Sequence, residues 1–127
     1  MTEHSHCAIF TDLDGTLLDH DTYSWAPAAP AIERIKKLGI PLIAISSKTL
    51  AELSDLNATD HLFDGLIGEN GGVIRLGNQT EQPGPATETI DAARDAIRAA
   101  LSIPVTSFRS TSPEIIAAQT GLSPDDA

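Results

Sequence analysis

Apolar residues fall along this chain either in short continuous runs or at helical spacing, and the two patterns alternate. Continuous runs at 7–10, 41–46 and 66–67 are too short for helices and are bounded by turn residues, which predicts two buried strands and a short third strand. Apolar residues every three or four positions predict helices at 27–38 and 49–57. The order of strand, helix and strand predicts parallel strands joined by right-handed crossovers.

A hairpin and a linker follow the third predicted strand. Residues 73–76 and the residues after Gly77-Asn78 predict two antiparallel strands. The segment 82–85, rich in proline and glycine, predicts a linker. We therefore expect residues 1–82 to form the sheet and its helices, and residues 83–127 to belong to a second domain.

The second domain is predicted to combine helices with a strand. One helix begins at Thr87 or Thr89 and has a single apolar face. The residues on that face are Ile90, Ala93, Ile97 and Leu101. Residues 103–108 predict a strand, and Ser112-Pro113-Glu114 predicts the first turn of another helix. The fold class expected from the whole pattern is α/β, with a Rossmann-type parallel sheet core and the start of an inserted α+β domain.

The composition excludes several classes of function. The chain of 127 residues has a formal net charge of -10 and 4% aromatic residues, so it lacks the basic face that nucleic acids and anionic membranes require. The one cysteine, Cys7, permits no intrachain disulfide, and residues 1–6 lack the features of a signal peptide, which together indicate a cytoplasmic protein. His4 and His6 are interpreted as solvated tail residues, because nothing nearby completes a metal site.

Candidate chemistry begins at the end of the first strand, where Asp12 and Asp14 are one residue apart. A strand alternates its faces, so the two carboxylates are expected to point the same way. Ligands of open α/β sheets bind at the carboxyl ends of strands. Two like charges at this place are explained by a cation between them or by a reacting carboxylate. Mg²⁺ is the cation that takes one or two carboxylates together with water and phosphate oxygens.

Polar residues and glycines also follow the second and third strands, at the same expected edge of the sheet. Ser46, Ser47 and Lys48 follow the second strand and precede a helix that begins with a capping-box pattern. Hydroxyl groups beside a helix N-terminus favour the binding of an anion, and Lys48 adds a positive charge. Asn70-Gly71 follows the third strand in a glycine-rich turn that permits close backbone approach.

The segment 12–16, Asp-Leu-Asp-Gly-Thr after an apolar strand, resembles the first motif of the haloacid dehalogenase-like phosphatases. The resemblance implies that Asp12 is the nucleophile that accepts the phosphoryl group, and that Asp14 protonates the leaving alcohol and later activates water. It also implies that Asp12 and the backbone carbonyl of Asp14 hold Mg²⁺. The residues expected to bind the substrate phosphate are Thr16, Ser46, Ser47, Lys48, Asn70 and Gly71.

Longer segments resemble the mannosyl-3-phosphoglycerate phosphatase family more specifically. These segments are residues 12–25, 46–49 and 69–72, of which 19–25 and 46–49 are the more specific, and the similarity extends from residue 7 to about residue 76. The resemblance implies a flap over the active site, a cap domain after the sheet core, and a phosphorylated sugar or glycerate as the small-molecule substrate. Tyr23 and Trp25 are interpreted as residues that pack the flap against the body, and contact with the substrate is the alternative.

The end of the sequence differs from that family's pattern. Residues 123–127 repeat a helix start, and no helix follows. Lys48 is the last lysine of the chain, so the family's later lysine and acidic motifs have no counterpart after Leu76. We therefore expect the N-terminal part of a longer phosphatase, with weak Mg²⁺ binding, little turnover and an unpaired edge of the sheet.

Three functions remain open at this level. The first is Mg²⁺-dependent hydrolysis of mannosyl-3-phosphoglycerate through an aspartyl-phosphate. The second is hydrolysis of another sugar phosphate by the same mechanism. The third is binding without catalysis, either of Mg²⁺ and a phosphorylated sugar or of a partner protein. The sequence does not determine the oligomeric state.

Overall fold

The sheet is built from five strands that lie side by side in chain order. The computed structural model describes residues 7–121 and 123–124. Within them the strands are β1 (Ile9–Thr11), β2 (Leu42–Ile45), β3 (Gly65–Gly68), β4 (Val73–Leu76) and β5 (Gln79–Glu81). Strands β1, β2 and β3 are parallel, and β4 and β5 continue the sheet as antiparallel strands. The predicted α/β class with a parallel core is confirmed.

Strand β1 lies at the edge of the sheet and, within the described residues, pairs only with β2. The side chain of Phe10 in this strand is 55% exposed. The prediction of a buried first strand is therefore wrong for one face of the strand: Ile9 packs against the core, whereas the opposite face, which carries Phe10, is left exposed. Strand β2 is largely buried, as predicted, and so is β3. Within the described residues the sheet has two edge strands, β1 and β5.

The first helix is shorter than predicted. A 3₁₀ turn (Ala26–Ala28) leads into α1 (Ala29–Lys37), which has a proline in its first turn. Of the three apolar residues at helical spacing, Ile32 is buried in the core and Ile35 packs against it. Leu38 follows the last helical residue and is exposed, so the apolar face covers only the middle of the helix.

Helix α2 (Leu50–Asp60) begins with the predicted capping box and extends past its predicted end at Asn57. The Glu52 N–H donates to the Thr49 hydroxyl at 3.3 Å, and the Thr49 N–H donates to the Glu52 carboxylate at 2.7 Å. The Thr49 hydroxyl also donates to that carboxylate at 2.7 Å. This hydroxyl bond, with the backbone bond beside it, lowers the pKa of Glu52. The box fixes the start of a helix whose Leu53 is fully buried.

One cluster of buried apolar side chains joins the sheet, both helices and the turn after β1. Its members are Leu13, Leu18, Ile32, Leu42, Ala44, Leu53, Leu62, Phe63 and Leu66. Leu13 and Leu18 come from the turn that carries the candidate carboxylates. Burial of apolar surface therefore fixes the position of that turn relative to the sheet.

The hairpin of β4 and β5 is confirmed, and Gly77 at its turn has a φ of 55°. Gly65 is the first residue of β3. A Cβ at this position would lie 2.5 Å from the Leu76 side chain on the neighbouring strand. Glycine therefore fits the close packing of β3 against β4, because a side chain here would displace the half-exposed side chain of Leu76.

The chain divides into two units, Met1–Pro85 and Ala86–Ala127, whereas the sequence placed the boundary between residues 82 and 83. In the second unit, α3 (Thr87–Leu101) begins at the first of its two predicted starts. Helix α4 (Pro113–Thr120) begins at the predicted proline, and Gly121 follows it with a φ of 78°.

The predicted strand at 103–108 is wrong. Residues 103–107 have no regular structure, and Phe108–Ser110 is a 3₁₀ turn. The Ser107 carbonyl accepts hydrogen bonds from the hydroxyl groups of Ser110 and Thr111 at 3.0 and 2.8 Å. These local bonds use a backbone group that a strand ladder would need.

Two expectations fall outside the described residues. They concern His4 and His6, and the helix start at 123–127, of which only Ser123 and Pro124 are described. Within the described part of the chain, no helix is both long enough and apolar enough to cross a bilayer.

Replacing Thr49 by alanine is expected to lower the free energy of unfolding by about 1 kcal/mol, because it removes the hydroxyl of the capping box. Thr49→Ser keeps the hydroxyl and should retain most of that stability. The pKa of Glu52 is lowered in the folded state from the ordinary value of 4.5. The contribution of ionised Glu52 to the free energy of unfolding is therefore fully present above pH 4.5, and it is lost as the pH falls through the folded-state pKa.

Urea denaturation of the three chains at about pH 7 and about pH 3 measures both effects. Equal stability of Thr49→Ala and the unmodified chain at neutral pH would contradict the role of the capping box.

Candidate active site

The carboxyl ends of β1 and β2 and the turn after β3 line one cleft of about 290 Å³. Its lining residues are Asp12, Leu13, Asp14, Ile45, Ser46, Ser47 and Asn70. Most of the residues that the sequence singled out therefore lie around the same space. Lys48 contacts this group through Asp14, whereas Thr16 and Gly71 do not line the cleft.

The two carboxylates are presented by a turn that is anchored in the core. Leu13 between them is 1% exposed, whereas Asp12 and Asp14 are both exposed. The Leu13 carbonyl accepts hydrogen bonds from the N–H groups of Thr16 and Leu18 at 3.2 and 2.8 Å. Because Leu18 is buried as well, apolar side chains fix the turn and leave both carboxylates at the cleft.

Thr16 lies in the same turn but lines a neighbouring cleft, which is formed by residues 15–20 with Pro27 and Ala28. Gly15, with a φ of 73°, occupies the left-handed position of this turn. Its N–H donates to the carbonyl of Leu18 at 3.1 Å. The turn thus separates Asp14 from Thr16, and the structure does not bring Thr16 to the lining of the first cleft.

Ser46 connects the two chain segments that flank the cleft. It is 8% exposed, and its Oγ accepts a hydrogen bond from the Lys48 N–H at 3.2 Å. Its own N–H donates to the Ile67 carbonyl at 2.9 Å, and its carbonyl accepts from the Asn70 N–H at 3.1 Å. These bonds fix the position of Lys48 relative to Asn70.

Lys48 brings a positive charge to the carboxylates. Its Nζ lies 3.4 Å from Asp14 Oδ1, and both side chains remain partly exposed. An ion pair at such exposure contributes little to stability. Its consequence is local, because one positive charge beside Asp12 and Asp14 leaves an excess of negative charge that attracts a further cation.

The turn after β3 combines close backbone approach with left-handed backbone angles. A Cβ on Gly68 would lie 3.0 Å from the Lys48 carbonyl oxygen, so glycine lets this turn approach the start of α2. Glu69 and Asn70 each have a φ of 55°, and Gly71 has a φ of 95°. Such values cost energy for a residue with a Cβ, least for asparagine. The Glu69 N–H donates to the Lys48 carbonyl at 2.9 Å and helps to hold the turn.

The segment 19–25, interpreted above as a flap, begins with a turn built on Asp19. Asp19 Oδ1 accepts hydrogen bonds from the N–H and hydroxyl of Thr22 at 2.9 and 2.8 Å, and from the Asp21 N–H at 3.2 Å. The backbone bond from Thr22, followed by its hydroxyl bond, lowers the pKa of Asp19. The Asp19 carboxylate therefore stabilises this turn through its hydrogen bonds.

The end of the same segment is attached to α2. Trp25 Nε1 donates to Asp60 Oδ2 at 3.1 Å, and the indole packs partly against the core. This contact agrees with the packing interpretation of Trp25, whereas Tyr23 is exposed. The sequence did not indicate Asp60, because its partner lies 35 positions away and no local pattern connects them.

The donor atoms of the cleft fit a divalent cation with few protein ligands. Asp12 and Asp14 are exposed and line the same space, and Mg²⁺ binds through one or two carboxylates with water and phosphate oxygens. Among residues 7–121 and 123–124, no group of three or more His, Cys, Asp or Glu side chains is suited to a metal. The described residues therefore offer a cation at this cleft no more than the oxygen atoms of Asp12 and Asp14, and water and substrate would complete its coordination.

A larger cleft of about 550 Å³ lies at the opposite ends of the strands. Its polar groups already serve the fold: the Asn57 side chain binds the backbone N–H and carbonyl of Phe63, and Asp64 accepts from a backbone N–H of β2. Arg75 donates to the Ser54 hydroxyl at 2.6 Å. We therefore assign the candidate chemistry to the smaller cleft, which holds the paired carboxylates.

A sequence model of the haloacid dehalogenase-like hydrolases matches residues 9–102. The matched segment contains the whole sheet, the cleft with its paired carboxylates and helix α3. It covers most of the chain.

Solved structures show the same fold. The chain is 25% identical to BT4131, a HAD subclass IIB sugar phosphatase, with a TM-score of 0.53 over 72% of this chain and 37% of that chain. It is also 25% identical to SMU.1108c from Streptococcus mutans UA159, with a TM-score of 0.58 over 74% of this chain and 36% of that one.

A third similar structure shows the fold alone. BT1666 from Bacteroides thetaiotaomicron, among the phosphatases of the HAD enzyme superfamily, is 17% identical, with a TM-score of 0.66 over 94% of this chain and 48% of that chain. The present chain thus spans less than half the length of each of these three structures.

Replacing Glu69 by glycine is expected to raise the free energy of unfolding by up to about 1 kcal/mol, because glycine adopts a left-handed φ without a Cβ clash. The larger entropy of glycine in the unfolded chain limits the gain. Glu69→Ala keeps the Cβ and should bring no gain. Urea denaturation measures the difference, and a Glu69→Gly chain less stable than Glu69→Ala would contradict strain at this position.

Proposed function

The chain belongs to the haloacid dehalogenase-like hydrolase family, and on that premise we propose that it is a Mg²⁺-dependent phosphomonoester hydrolase. The observation that carries this proposal is the cleft in which Asp12 and Asp14 meet Ser46, Asn70 and the cation Lys48. The arrangement combines a carboxylate nucleophile, a second carboxylate for proton transfer and polar groups for phosphate oxygens. Phosphoryl transfer depends on these groups and on their positions.

In the proposed reaction the Asp12 carboxylate attacks phosphorus, and the bond between phosphorus and the leaving oxygen breaks. Asp14, in its protonated form, donates its proton to the leaving alcohol. Water then attacks the phosphorus of the aspartyl-phosphate while the Asp14 carboxylate accepts a proton from it. This step releases inorganic phosphate and restores Asp12. Two easier displacements thereby replace one difficult displacement.

The other selected residues are proposed to bind the phosphate oxygens of the substrate. Ser46, Ser47 and Asn70 are assigned this role because they line the cleft. Lys48 is assigned it because an ammonium group 3.4 Å from Asp14 also offsets the charge of a phosphoryl group. Thr16 and Gly71 complete the predicted set, but Thr16 lines the neighbouring cleft and neither residue lines the cleft that holds Asp12 and Asp14.

Asp12 and Asp14 are also the proposed holders of Mg²⁺, through the Asp12 carboxylate and the Asp14 backbone carbonyl. A bound Mg²⁺ supplies positive charge that stabilises the transferring phosphoryl group. Support comes from the chemistry of the donors, because both residues offer oxygen atoms at one solvent-accessible cleft.

Mannosyl-3-phosphoglycerate is the substrate that we propose, and another sugar phosphate is the alternative within the same reaction class. The proposal is supported by the resemblance of segments 19–25, 46–49 and 69–72, and by the similarity to a sugar phosphatase, BT4131. We further propose that residues 83–127 are the start of a substrate-specifying cap, and that the protein is cytoplasmic. The separate unit Ala86–Ala127 supports the first of these two points.

A second candidate function is binding of Mg²⁺ and a phosphorylated sugar without turnover. It is favoured by one observation: the described residues offer only two carboxylates to a metal, and no group of three or more metal-binding side chains. A weakly held cation would leave the phosphoryl charge poorly neutralised. This candidate predicts ligand binding in the absence of phosphate release.

The substitution Asp12→Asn is expected to reduce Mg²⁺-dependent phosphate release from mannosyl-3-phosphoglycerate by at least about 10³-fold, because an amide does not replace a carboxylate nucleophile. The matched control is Asp55→Asn, an exposed residue of α2 outside the lining of the cleft, which should keep full activity. Release of inorganic phosphate measures the rates.

An active Asp12→Asn variant would show that the nucleophile is assigned wrongly. If the unmodified 127-residue chain releases no phosphate, the hydrolase proposal fails for this chain. Isothermal titration with mannosyl-3-phosphoglycerate and Mg²⁺ then decides whether the binding function holds.

Replacing Lys48 by methionine is expected to weaken the binding of the phosphorylated substrate by about tenfold or more, because a charge-assisted contact to phosphate is lost. Lys37→Met removes a positive charge from an exposed ion pair on α1 and should leave the affinity unchanged. Isothermal titration with both variants measures the effect, and equal losses in the two variants would indicate a general charge effect in place of a local contact.

A further inference from the structure

A cleft of about 550 Å³ lies between the end of α2 and the hairpin of β4 and β5, and we call it the hairpin cleft. All of its lining residues belong to the unit Met1–Pro85. Its volume falls within the range of small-molecule sites, and the surface that lines it is mainly polar. The lining residues are Asn57, Phe63, Asp64, Gly65, Leu66, Arg75, Gly77, Asn78 and Thr80. The hairpin cleft therefore suits a hydrophilic ligand.

Arg75 supplies the positive charge of the hairpin cleft. It pairs with Leu66 on β3 and with Thr80 on β5, and its Nη2 donates to the Ser54 hydroxyl of α2 at 2.6 Å. The side chain therefore lies on the sheet face that α2 covers, and the residue is partly buried. Within the described part of the chain, no carboxylate lies at ion-pair distance from this guanidinium.

The contact with Ser54 holds the guanidinium and leaves most of its donors available. The Ser54 hydroxyl donates its own proton to the Leu50 carbonyl, so its oxygen is the acceptor for Arg75. A guanidinium has five N–H donors, and this contact uses one of them. A partly buried positive charge without a counter-ion is costly. An anion that accepts two parallel hydrogen bonds from Arg75 would remove that cost.

We propose that the hairpin cleft binds a small monocarboxylate that carries hydroxyl groups, such as a sugar acid, with its carboxylate on Arg75. Asp64 Oδ2 accepts the backbone N–H of Leu42 at 2.9 Å, and a carboxylate has a second oxygen that accepts from a ligand hydroxyl. Asn78 and Thr80, both exposed on the hairpin, add an amide and a hydroxyl to the same cleft.

The Asp64 carboxylate favours this class of ligand over a phosphate. A phosphate group carries a charge of about −1.5 to −2 at pH 7, so a nearby carboxylate repels it more strongly than it repels a ligand with a single negative charge. The net charge of the chain, −10, also disfavours multiply charged anions. Binding therefore depends on local contacts, and we expect a dissociation constant of about 1 mM.

The hairpin cleft shares no lining residue with the cleft that holds Asp12 and Asp14. The proposal is therefore independent of the hydrolase activity. Its test needs no turnover, because a ligand at the hairpin cleft changes the surroundings of the backbone amides that line it.

Nuclear magnetic resonance titration of the ¹⁵N-labelled 127-residue chain with D-gluconate, up to about 20 mM, tests the binding. Saturable shifts are expected in the amide signals of Gly77, Asn78 and Thr80. D-Glucitol has the hydroxyl groups without the carboxylate and should give no saturable shift. Inorganic phosphate is expected to bind at these positions at least about fivefold more weakly than D-gluconate.

Arg75→Gln is expected to raise the dissociation constant for D-gluconate at least about tenfold, because the charge-assisted contact is lost. Arg34→Gln is the matched control, since it removes an exposed arginine of α1 outside the hairpin cleft, and it should leave the affinity unchanged. Thr80→Val keeps the shape of a side chain on an exposed edge strand and removes its hydroxyl. It should weaken binding about threefold, and it keeps the test decisive if Arg75→Gln does not fold.

Four results would overturn the proposal. They are the absence of saturable shifts with D-gluconate, shifts confined to the cleft of Asp12 and Asp14, equal losses of affinity in Arg75→Gln and Arg34→Gln, and phosphate binding as tight as that of D-gluconate. The amide spectrum of each variant establishes that the sheet is retained, so that a lost shift reports on the hairpin cleft and not on unfolding.

Discussion

The hydrogen bonds between the start of α2 and the turn after β3 determine the geometry of the candidate site. The Ser46 carbonyl accepts a hydrogen bond from the Asn70 N–H, and the Lys48 carbonyl accepts one from the Glu69 N–H. Ser46 Oγ accepts one from the Lys48 N–H. Gly68 makes this approach possible because a side chain there would press on the Lys48 carbonyl. These contacts join the segment after β2 to the turn after β3. The positions of the Ser46 hydroxyl, the Lys48 ammonium group and the Asn70 amide therefore depend on them. Both segments lie at the strand ends where ligands of α/β folds bind.

A second constraint acts on the two carboxylates. Asp12 and Asp14 carry like charges at one cleft, and burial of Leu13 between them fixes both in place. Exposure to solvent reduces their repulsion, and Lys48 offsets part of it at 3.4 Å from Asp14. The fold therefore stabilises the backbone of this turn through apolar packing and leaves its charged groups free for chemistry. The proposed hydrolase function uses that separation of roles.

Much of the sheet and of the cleft could be predicted from the sequence, because both depend on local patterns. Short apolar runs marked the strands, and the residues directly after them lie together at the cleft. The exposure of Phe10 could not be predicted, since an apolar run does not tell whether one or both faces of a strand will be covered. Residues 103–108 have strand-like composition, but the hydroxyl groups of Ser110 and Thr111 donate hydrogen bonds to the Ser107 carbonyl. The left-handed conformation of Glu69 could not be predicted from the sequence either, because glutamate disfavours it. The hydrogen bond from the Glu69 N–H to the Lys48 carbonyl helps to hold this conformation.

The attachment of the flap segment to α2 has a consequence for observation in solution. Trp25 is the only tryptophan of the chain, and its indole nitrogen is bonded to Asp60 while its ring rests partly on the core. Any movement of this segment changes the polarity around that one indole. The tryptophan fluorescence of the protein therefore comes from a single, known place at the end of α2, and it reports on segment 19–25 without the addition of a label.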